Sequence, residues 1–296
     1  MRSTLISAAT AAALLALAPA AGAATCPPPS KPTTVAYERI SGVPANSTSL
    51  DVWAPAKKCR PKGGSPVVIW IHGGAYQTGD KANRMADKVK LFAGRNYVLV
   101  SVNYRLSVAG DPEAANYPDH FRDVAAAVAW VRSNIARYGG RSDRIALLGH
   151  SAGADIVSNV ATDPQWLKRH KLKLSALRCQ GPLDTEGFDK TRAGAAEQKQ
   201  WLVAFPNHPA YKTDTSATLL VKRGIGIPRA FTVFRGLPGR QAIEKAYADA
   251  LRSAGIAATL VDARSLTHEE VNTSIGAPGD TVMTKPLVSF LKTCFK

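Results

Sequence analysis

The chain has 296 residues, of which 45% are hydrophobic and 20% are charged, and its formal net charge is +16. This length suits one large α/β domain with a sizeable core. The lysines and arginines are dispersed rather than gathered in one stripe with aromatic partners, so the charge does not predict a nucleic-acid interface. Beyond the N-terminal segment, no apolar run is long enough for a membrane helix.

The first 24 residues are typical of a secretion signal. A basic start at Arg2 precedes an apolar run from Leu5 to Ala21 that is too short to span a bilayer comfortably. The run ends in a small-x-small pattern, Ala21-Gly22-Ala23, which predicts cleavage after Ala23 or Ala24. We therefore expect a mature chain, residues 25–296, that forms a single domain outside the cytoplasm without stable membrane insertion.

The four cysteines are interpreted as disulfide partners. In an exported chain, oxidised pairs are expected rather than metal ligands or reactive thiols, and no CxxC or Cys/His cluster indicates a metal site. Three pairings are open from sequence alone. We favour Cys26 with Cys59 and Cys179 with Cys294, because each bond would tie a terminal segment to the body of the domain.

The order of predicted elements indicates a doubly wound, mostly parallel sheet of about eight strands with helices on both faces. Two short strands at 35–40 and 49–53 form an antiparallel edge. Continuous β-branched runs, typical of strands buried on both faces, then alternate with helical spacing. The later strands are expected at 67–71, 97–102, 144–148, 174–179, 229–234 and 257–261, and the helices at 81–93, 121–135, 152–160, 240–254 and the C-terminus.

The segment 188–226 departs from this alternation. It is first polar and helix-prone, and then aromatic and proline-bearing around Trp201, Phe205 and Tyr211. Long insertions outside a sheet cost little free energy, so the pattern fits a lid over a site and an ordinary surface insertion equally well.

A G-x-S-x-G sequence at 149–153 predicts a nucleophilic serine, Ser151. It follows a buried strand and opens a helix of small residues, which is the setting of a strained nucleophile turn. Such a turn needs flanking positions with almost no side chain, and Gly149, Ala152 and Gly153 meet that requirement.

A serine hydroxyl needs a base to take its proton, usually a histidine. Of the six histidines, only His268 lies in the loop after the last predicted strand, where the histidine of a Ser, acid, His chain order would fall. We therefore expect His268 to be the general base. His72 is expected to brace its own loop, and His150, inside the turn, to face away from the site.

Donors for an oxyanion are expected from the loop after strand 67–71. The sequence His72-Gly73-Gly74-Ala75 offers backbone N–H groups without side chains in the way. The N–H groups of Gly73 and Gly74, together with that of Ala152, form the predicted oxyanion hole.

These motifs together resemble a known family. The HGGA loop, the GHSAG turn and Asn103-Tyr104-Arg105-Leu106 are similar to the HGG-containing esterases of the α/β-hydrolase superfamily, in the branch of hormone-sensitive lipase and the carboxylesterases. The resemblance runs from about residue 66 to 163 and resumes near His268. It implies the α/β-hydrolase fold, a Ser, acid, His triad without a metal, and an esterase activity. Since no GxGxxG or Walker sequence occurs, no cofactor is expected.

The position of the acid departs from that pattern. In these families it usually follows the strand placed here at 229–234, but no carboxylate comes after that strand until Glu244. We expect Asp184, which follows the strand at 174–179, to orient His268. Three other carboxylates remain open as alternatives, namely Glu186, Asp189 and Asp262.

The leading hypothesis is a secreted serine carboxylesterase that cleaves small acyl or aryl esters through an acyl-enzyme on Ser151. An amidase or peptidase with the same triad is one alternative. A non-catalytic binding protein on the same fold is another, and it is motivated by the missing acid at the usual loop. The number of subunits is left open.

Overall fold

A single eight-stranded sheet lies at the centre of the computed structural model, which describes residues 27–296. The predicted signal at residues 1–24 and Cys26 lie outside the described residues. The strands are β1 (Thr33–Ala36), β2 (Ser49–Trp53), β3 (Ser65–Ile71), β4 (Val98–Val102), β5 (Gly140–His150), β6 (Cys179–Leu183), β7 (Arg229–Phe234) and β8 (Ala258–Asp262).

The strands follow one another across the sheet in the order β1-β2-β4-β3-β5-β6-β7-β8. β2 pairs antiparallel with both β1 and β4, and every other neighbouring pair is parallel. The predicted antiparallel edge and mostly parallel sheet are therefore confirmed. Because parallel strands end at the same edge, the residues that follow β3, β5 and β6 meet at one end of the sheet.

Helices cover both faces of the sheet. The helices of the described residues are α1 (Ala86–Ala93), α2 (Asp119–Asn134), α3 (Ala152–Thr162), α4 (Pro164–Lys168), α5 (Ala195–Ala204), α6 (Tyr211–Asp214), α7 (Ala217–Leu220), α8 (Pro238–Ser253), α9 (His268–Thr273) and α10 (Thr284–Cys294). In this described part of the chain, no helix combines the length and the apolar character that crossing a membrane requires.

Strand β3 shows how the two cores form. Its side chains alternate between the faces, as the twofold period of a strand requires. Ile69 packs into the larger cluster with α2, α3 and α8, whereas Val68 and Trp70 pack into the second cluster with α1 and α10. All three side chains are 98% or more buried, so the run is apolar throughout because both faces are covered.

The sixth strand lies later in the chain than predicted. A strand was expected at 174–179, but Leu174–Ala176 form a 3-10 turn and the strand is Cys179–Leu183. The sequence of β6, Cys-Gln-Gly-Pro-Leu, contains two residues that disfavour strands, so propensity pointed to the wrong segment. The shift places Asp184 directly after the strand.

A disulfide bond joins the start of β6 to the end of the last helix. Cys179 and Cys294 are bonded, with their Cα atoms 6.0 Å apart, as predicted. The other predicted pair involves Cys26, which lies outside the described residues, and it stays a prediction. The observed bond pins α10 to the sheet across 115 residues of sequence.

Candidate active site

Ser151 lies in a strained turn between β5 and α3. Its backbone has φ 57° and ψ −122°, a conformation that L-residues rarely adopt. The turn packs so closely on the end of β3 that a Cβ at Gly153 would lie 2.4 Å from the carbonyl oxygens of Ile71 and His72. Only glycine fits at position 153, and this contact fixes the serine next to the loop after β3.

His268 contacts the serine directly. Its Nε2 lies 2.9 Å from Ser151 Oγ. The residue was expected in a loop but is the first residue of α9, after the N-cap Thr267, whose side chain and that of Glu270 form a capping box. The capped start of the helix holds the backbone of His268 in place.

Asp184 contacts the other side of the imidazole. The carboxylate is fully buried, and its Oδ2 lies 2.6 Å from His268 Nδ1. Because a carboxylate can only accept, Nδ1 carries the proton and Nε2 is free to accept the hydrogen of the Ser151 hydroxyl. The structure therefore brings together the three residues that the sequence singled out.

Two arginines that the sequence did not single out hold Asp184. Arg235, just after β7, donates from Nε to Oδ2 at 2.6 Å, and Arg240 on α8 donates from Nε and Nη2 to Oδ1 at 2.9 and 2.5 Å. Burial alone would raise the pKa of Asp184, but the hydrogen bond from His268 and the charge of Arg240 outweigh it and hold that pKa well below its usual range.

The three alternative acids have other partners. Glu186 accepts a hydrogen bond from Arg240, and Asp189 accepts one from the hydroxyl group of Thr191. Asp262 pairs with Arg264 at an exposed position. None of these contacts reaches the imidazole, so Asp184 is the carboxylate that the structure brings to His268.

A fifth carboxyl group, that of Glu244, lies beside Asp184. Glu244 on α8 is fully buried, and its Oε2 accepts from the backbone N–H of Arg235 at 2.8 Å. Burial, followed by the charge of Asp184, raises the pKa of Glu244 to about 9. The sequence showed Glu244 only as a helix residue after an unusually basic loop, and the basic loop was the signal that could have found this cluster.

The prediction that His150 faces away from the site is wrong. Its ring lies 4.5 Å from that of His268, and its Nε2 donates to the backbone carbonyl of His268 at 2.8 Å. Burial, followed by the proximity of His268, lowers the pKa of His150 to about 3, so its ring is neutral. His150 thus holds the backbone at the start of α9 in place.

The glycine loop after β3 lies against the serine. Gly74 has φ 118°, and a Cβ there would lie 2.0 Å from the carbonyl oxygen of Thr78, so the loop requires glycine. A Cβ at Gly73 would lie 2.9 Å from that of Ser151. Ala152 is the first residue of α3, where backbone N–H groups have no partner within the helix. The N–H groups of Gly73, Gly74 and Ala152 therefore belong to segments that border the serine hydroxyl.

His72 braces this loop, as expected. Its Nδ1 donates to the carbonyl of Gly73 at 2.7 Å, and its ring stacks on Tyr104 with centroids 4.5 Å apart. The Tyr104 hydroxyl donates in turn to the carbonyl of His72 at 3.2 Å.

A buried charge network ties the glycine loop to the rest of the site. Tyr76, at the end of the loop, donates to Asp155 on α3 at 2.5 Å. Lys190 forms an ion pair with the same carboxylate at 2.7 Å, and both charged side chains are almost fully buried. Lys190 also donates to the carbonyl of Thr215 at 2.6 Å. The network therefore connects the loop, the nucleophile helix and the segment 188–226.

Two pockets open on either side of Ser151. The smaller, of about 290 Å³, is lined by Tyr76, Trp201 and Arg240 among others, and the larger, of about 680 Å³, borders the glycine loop. Residues of α5 from the segment 188–226 line both pockets. Trp201 and Phe205 are also buried in the core, so this segment closes one side of the site.

The group of described residues that could hold a metal ion is His150, Asp184 and His268, whose ligand atoms lie within 4.8 Å of one another. Asp184 is already occupied by His268 and two arginines, and both nitrogens of His268 are engaged. This donor set fits proton transfer between a serine and a histidine better than metal coordination.

The family is decided by comparison with known proteins. The carboxylesterase family model matches residues 22–170, which is half of the chain. The chain belongs to the carboxylesterase family. The region that the family model matches contains the glycine loop and the nucleophile turn.

Curated relatives resemble less than half of this chain. A para-nitrobenzyl esterase of Bacillus subtilis (strain 168) is 31% identical over 145 residues, which are 47% of this chain and 29% of that protein. Carboxylesterase 3 of Homo sapiens is 39% identical over 132 residues, or 43% of this chain and 22% of that protein. The matched region spans less than a third of these relatives.

Solved structures resemble most of this chain. An arylesterase structure superposes with a TM-score of 0.68 at 20% identity, covering 92% of this chain and 89% of that one. A truncated carbohydrate esterase from gut microbiota gives a TM-score of 0.69 at 19% identity, covering 89% and 96%. These likenesses confirm the α/β-hydrolase fold.

Proposed function

We propose that this chain is a secreted serine carboxylesterase that hydrolyses small esters through an acyl-enzyme on Ser151. The proposal rests on two hydrogen bonds of the His268 ring. Nε2 lies 2.9 Å from Ser151 Oγ, and Nδ1 lies 2.6 Å from Asp184 Oδ2. A histidine held in this tautomer is prepared to accept a proton from the serine, which is the requirement of acyl transfer.

In the first step, Ser151 Oγ attacks the ester carbonyl carbon while His268 Nε2 takes the hydroxyl proton. Asp184 stabilises the imidazolium that results, and its own proton affinity is low because two arginines hold it. Collapse of the tetrahedral intermediate releases the alcohol, which takes the proton from His268 Nε2. Water then repeats the sequence on the acyl-serine and releases the acid.

The negative oxygen of each intermediate needs donors that are already oriented. We assign this role to the N–H groups of Gly73, Gly74 and Ala152. The support is the packing of the glycine loop on the serine turn, together with the brace that His72 and Tyr104 give the loop. Donors fixed in this way need no rearrangement at the moment of reaction.

The pocket walls favour small and polar esters. Among the described residues, neither pocket is lined by an aliphatic side chain larger than alanine. Gln200 lines both pockets, while Arg240 and Asn83 each line one. A long acyl chain would gain little from burial here, because favourable burial requires apolar surroundings. Short acyl esters and aryl esters are therefore the proposed substrate class.

Secretion is proposed from the N-terminal segment and from the cysteines. Residues 1–24 have the charge and hydropathy pattern of a signal. The bond between Cys179 and Cys294 fits an oxidising compartment outside the cytoplasm. N-terminal sequencing of the protein recovered from the culture medium tests this part of the proposal, with a start at Ala24 or Thr25 expected.

Hydrolysis of p-nitrophenyl acetate, butyrate and octanoate by the purified protein tests the activity. Wild type is expected to turn over acetate and butyrate faster than octanoate, and Ser151→Ala is expected to abolish turnover. Turnover that survives in Ser151→Ala would refute the nucleophile. A matched anilide, tested in parallel, distinguishes an esterase from an amidase, and labelling by a fluorophosphonate without any turnover would leave a binding protein with a reactive serine.

A further inference from the structure

The buried carboxyl group of Glu244 has no role in the mechanism above, yet it adjoins the residues that position His268. It lies on α8, four residues after Arg240, and it is fully buried. The charged groups that face it are Asp184 after β6 and Arg240 on its own helix, and the backbone N–H of Arg235 after β7 also contacts it. Glu186 joins the cluster through Arg240.

The two carboxyl oxygens of Glu244 differ in their hydrogen bonds. Oε2 accepts from the backbone N–H of Arg235 at 2.8 Å. Oε1 is buried and accepts no hydrogen bond from any of the described residues. Arg240 Nε lies 3.3 Å from Oε1, but the single hydrogen of that nitrogen is directed to Asp184 at 2.9 Å. An ionised Oε1 would therefore be a buried acceptor without a donor, which is costly.

A proton on Glu244 removes this cost, because the hydroxyl group can then donate to the Asp184 carboxylate, and it also balances the charge of the cluster. With Glu244 neutral, two arginines face two carboxylates, those of Asp184 and Glu186. With Glu244 ionised, three carboxylates would compete for the same two guanidinium groups. Two neighbouring buried carboxyl groups do not both ionise readily, and Asp184, which accepts from three side chains, is the one that keeps the charge.

We propose that Glu244 is a positioning residue that must be protonated for the site to work. The neutral carboxyl leaves Arg240 and Arg235 to Asp184, and so keeps the Asp184 carboxylate aimed at His268 Nδ1. Ionisation would draw Arg240 toward Glu244 and release one side of Asp184. This inference rests on the proposed function for its kinetic readout, but protonation of Glu244 can be measured without turnover.

The first test compares Glu244→Gln and Glu244→Leu with wild type in ester hydrolysis across neutral and alkaline pH. Wild-type kcat is expected to fall as pH rises through about 9, where Glu244 ionises. Glu244→Gln keeps a neutral group that can accept from Arg235, and it is expected to lack this alkaline fall. Glu244→Leu has neither donor nor acceptor, and its kcat is expected to drop by about tenfold at neutral pH, with KM changed less.

Glu244→Gln should therefore rescue most of the activity that Glu244→Leu loses. The control is Asp249→Asn on the same helix, which removes one charge at an exposed ion pair with Arg252 and should leave the pH profile unchanged. An alkaline fall shared by wild type and Glu244→Gln would overturn the proposal. So would a tenfold loss in Glu244→Gln at neutral pH, because it would mean that the charge of Glu244 is needed.

Infrared spectroscopy provides the second test, which needs neither turnover nor a substrate. The difference spectrum of wild type minus Glu244→Gln at neutral pH should contain the carbonyl stretch of a protonated carboxyl group, and the band should vanish above about pH 9. A carboxylate band in its place would refute protonation even if the esterase assignment holds. Conversely, a protein without esterase turnover that shows the carboxyl band would refute the proposed function and not the protonation.

Discussion

Arg240 donates two hydrogen bonds to a single oxygen of Asp184, from Nε at 2.9 Å and from Nη2 at 2.5 Å. The other oxygen of the same carboxylate accepts from His268. The carboxylate is thus fixed from two sides, and its orientation toward the imidazole does not depend on the imidazole alone.

Replacing Asp184 with Asn should lower kcat by about a thousandfold to ten-thousandfold, because the amide can no longer hold the His268 tautomer that accepts the serine proton. KM should change much less, since the interaction is made in the transition state. Initial rates on p-nitrophenyl acetate check this expectation. Glu186→Gln, which removes a neighbouring carboxylate without contact to the ring, is the control. A loss in Asp184→Asn no greater than in that control would contradict the assigned acid.

Gly153→Ala should disrupt the contact between the nucleophile turn and β3. The added methyl would lie 2.4 Å from two backbone oxygens, which cannot give way as a side chain could. We expect destabilisation of about 1–3 kcal/mol in urea unfolding, together with a fall of about a hundredfold in kcat as the proposed oxyanion donors shift. Gly239→Ala, where nothing lies within 4 Å of the new methyl, should be nearly neutral in both measurements.

Lys190→Met should leave the buried charge of Asp155 without its cation. Breaking a buried ion pair from one side costs about 3–5 kcal/mol, whereas removing both charges costs less. The double variant with Asp155→Asn should therefore recover part of the stability that Lys190→Met loses. Urea unfolding of the two single variants and the double variant measures this coupling. Additive losses would show that the pair does not interact in the folded protein.

Lys88→Met should change how stability depends on pH. Burial lowers the pKa of Lys88 from 10.5 to about 7, although its ammonium group donates to the carbonyl of Asn272 at 2.8 Å. A depressed pKa means that the stability contribution of Lys88 is present above pH 10.5 and is lost as pH falls toward 7. The melting temperature of wild type relative to Lys88→Met should therefore rise between about pH 7 and pH 10. A difference that is constant with pH would contradict the depressed pKa.

The sequence predicted the fold well where composition and packing agree. Strands Ser49–Trp53 and Arg229–Phe234 lie where they were expected. The second is rich in β-branched and aromatic residues, which fit a sheet that is buried on both faces. Strand β6 was misplaced, since Gly181 and Pro182 disfavour a strand locally and only its neighbours in the sheet impose one.

The site was predicted only in part, because some of its residues belong to local patterns and others meet only in the folded chain. Ser151 and His268 follow from a local turn and from chain order, which the sequence carries directly. The arginines and Glu244 come together only when β6, β7 and α8 meet, so the basic loop after β7 indicates the arginines but not their contact with Asp184. The orientation of His150 likewise depends on where α9 begins.

The loops that follow β6 and β7 meet beside the imidazole of His268. Arg235 Nε, from the loop after β7, reaches the same oxygen of Asp184 that accepts from His268, so side chains from either loop arrive at one point in space. Both loops therefore supply groups to the same point beside His268. In this protein the loop after β6 supplies the carboxylate, and the loop after β7 supplies a cation that stabilises it.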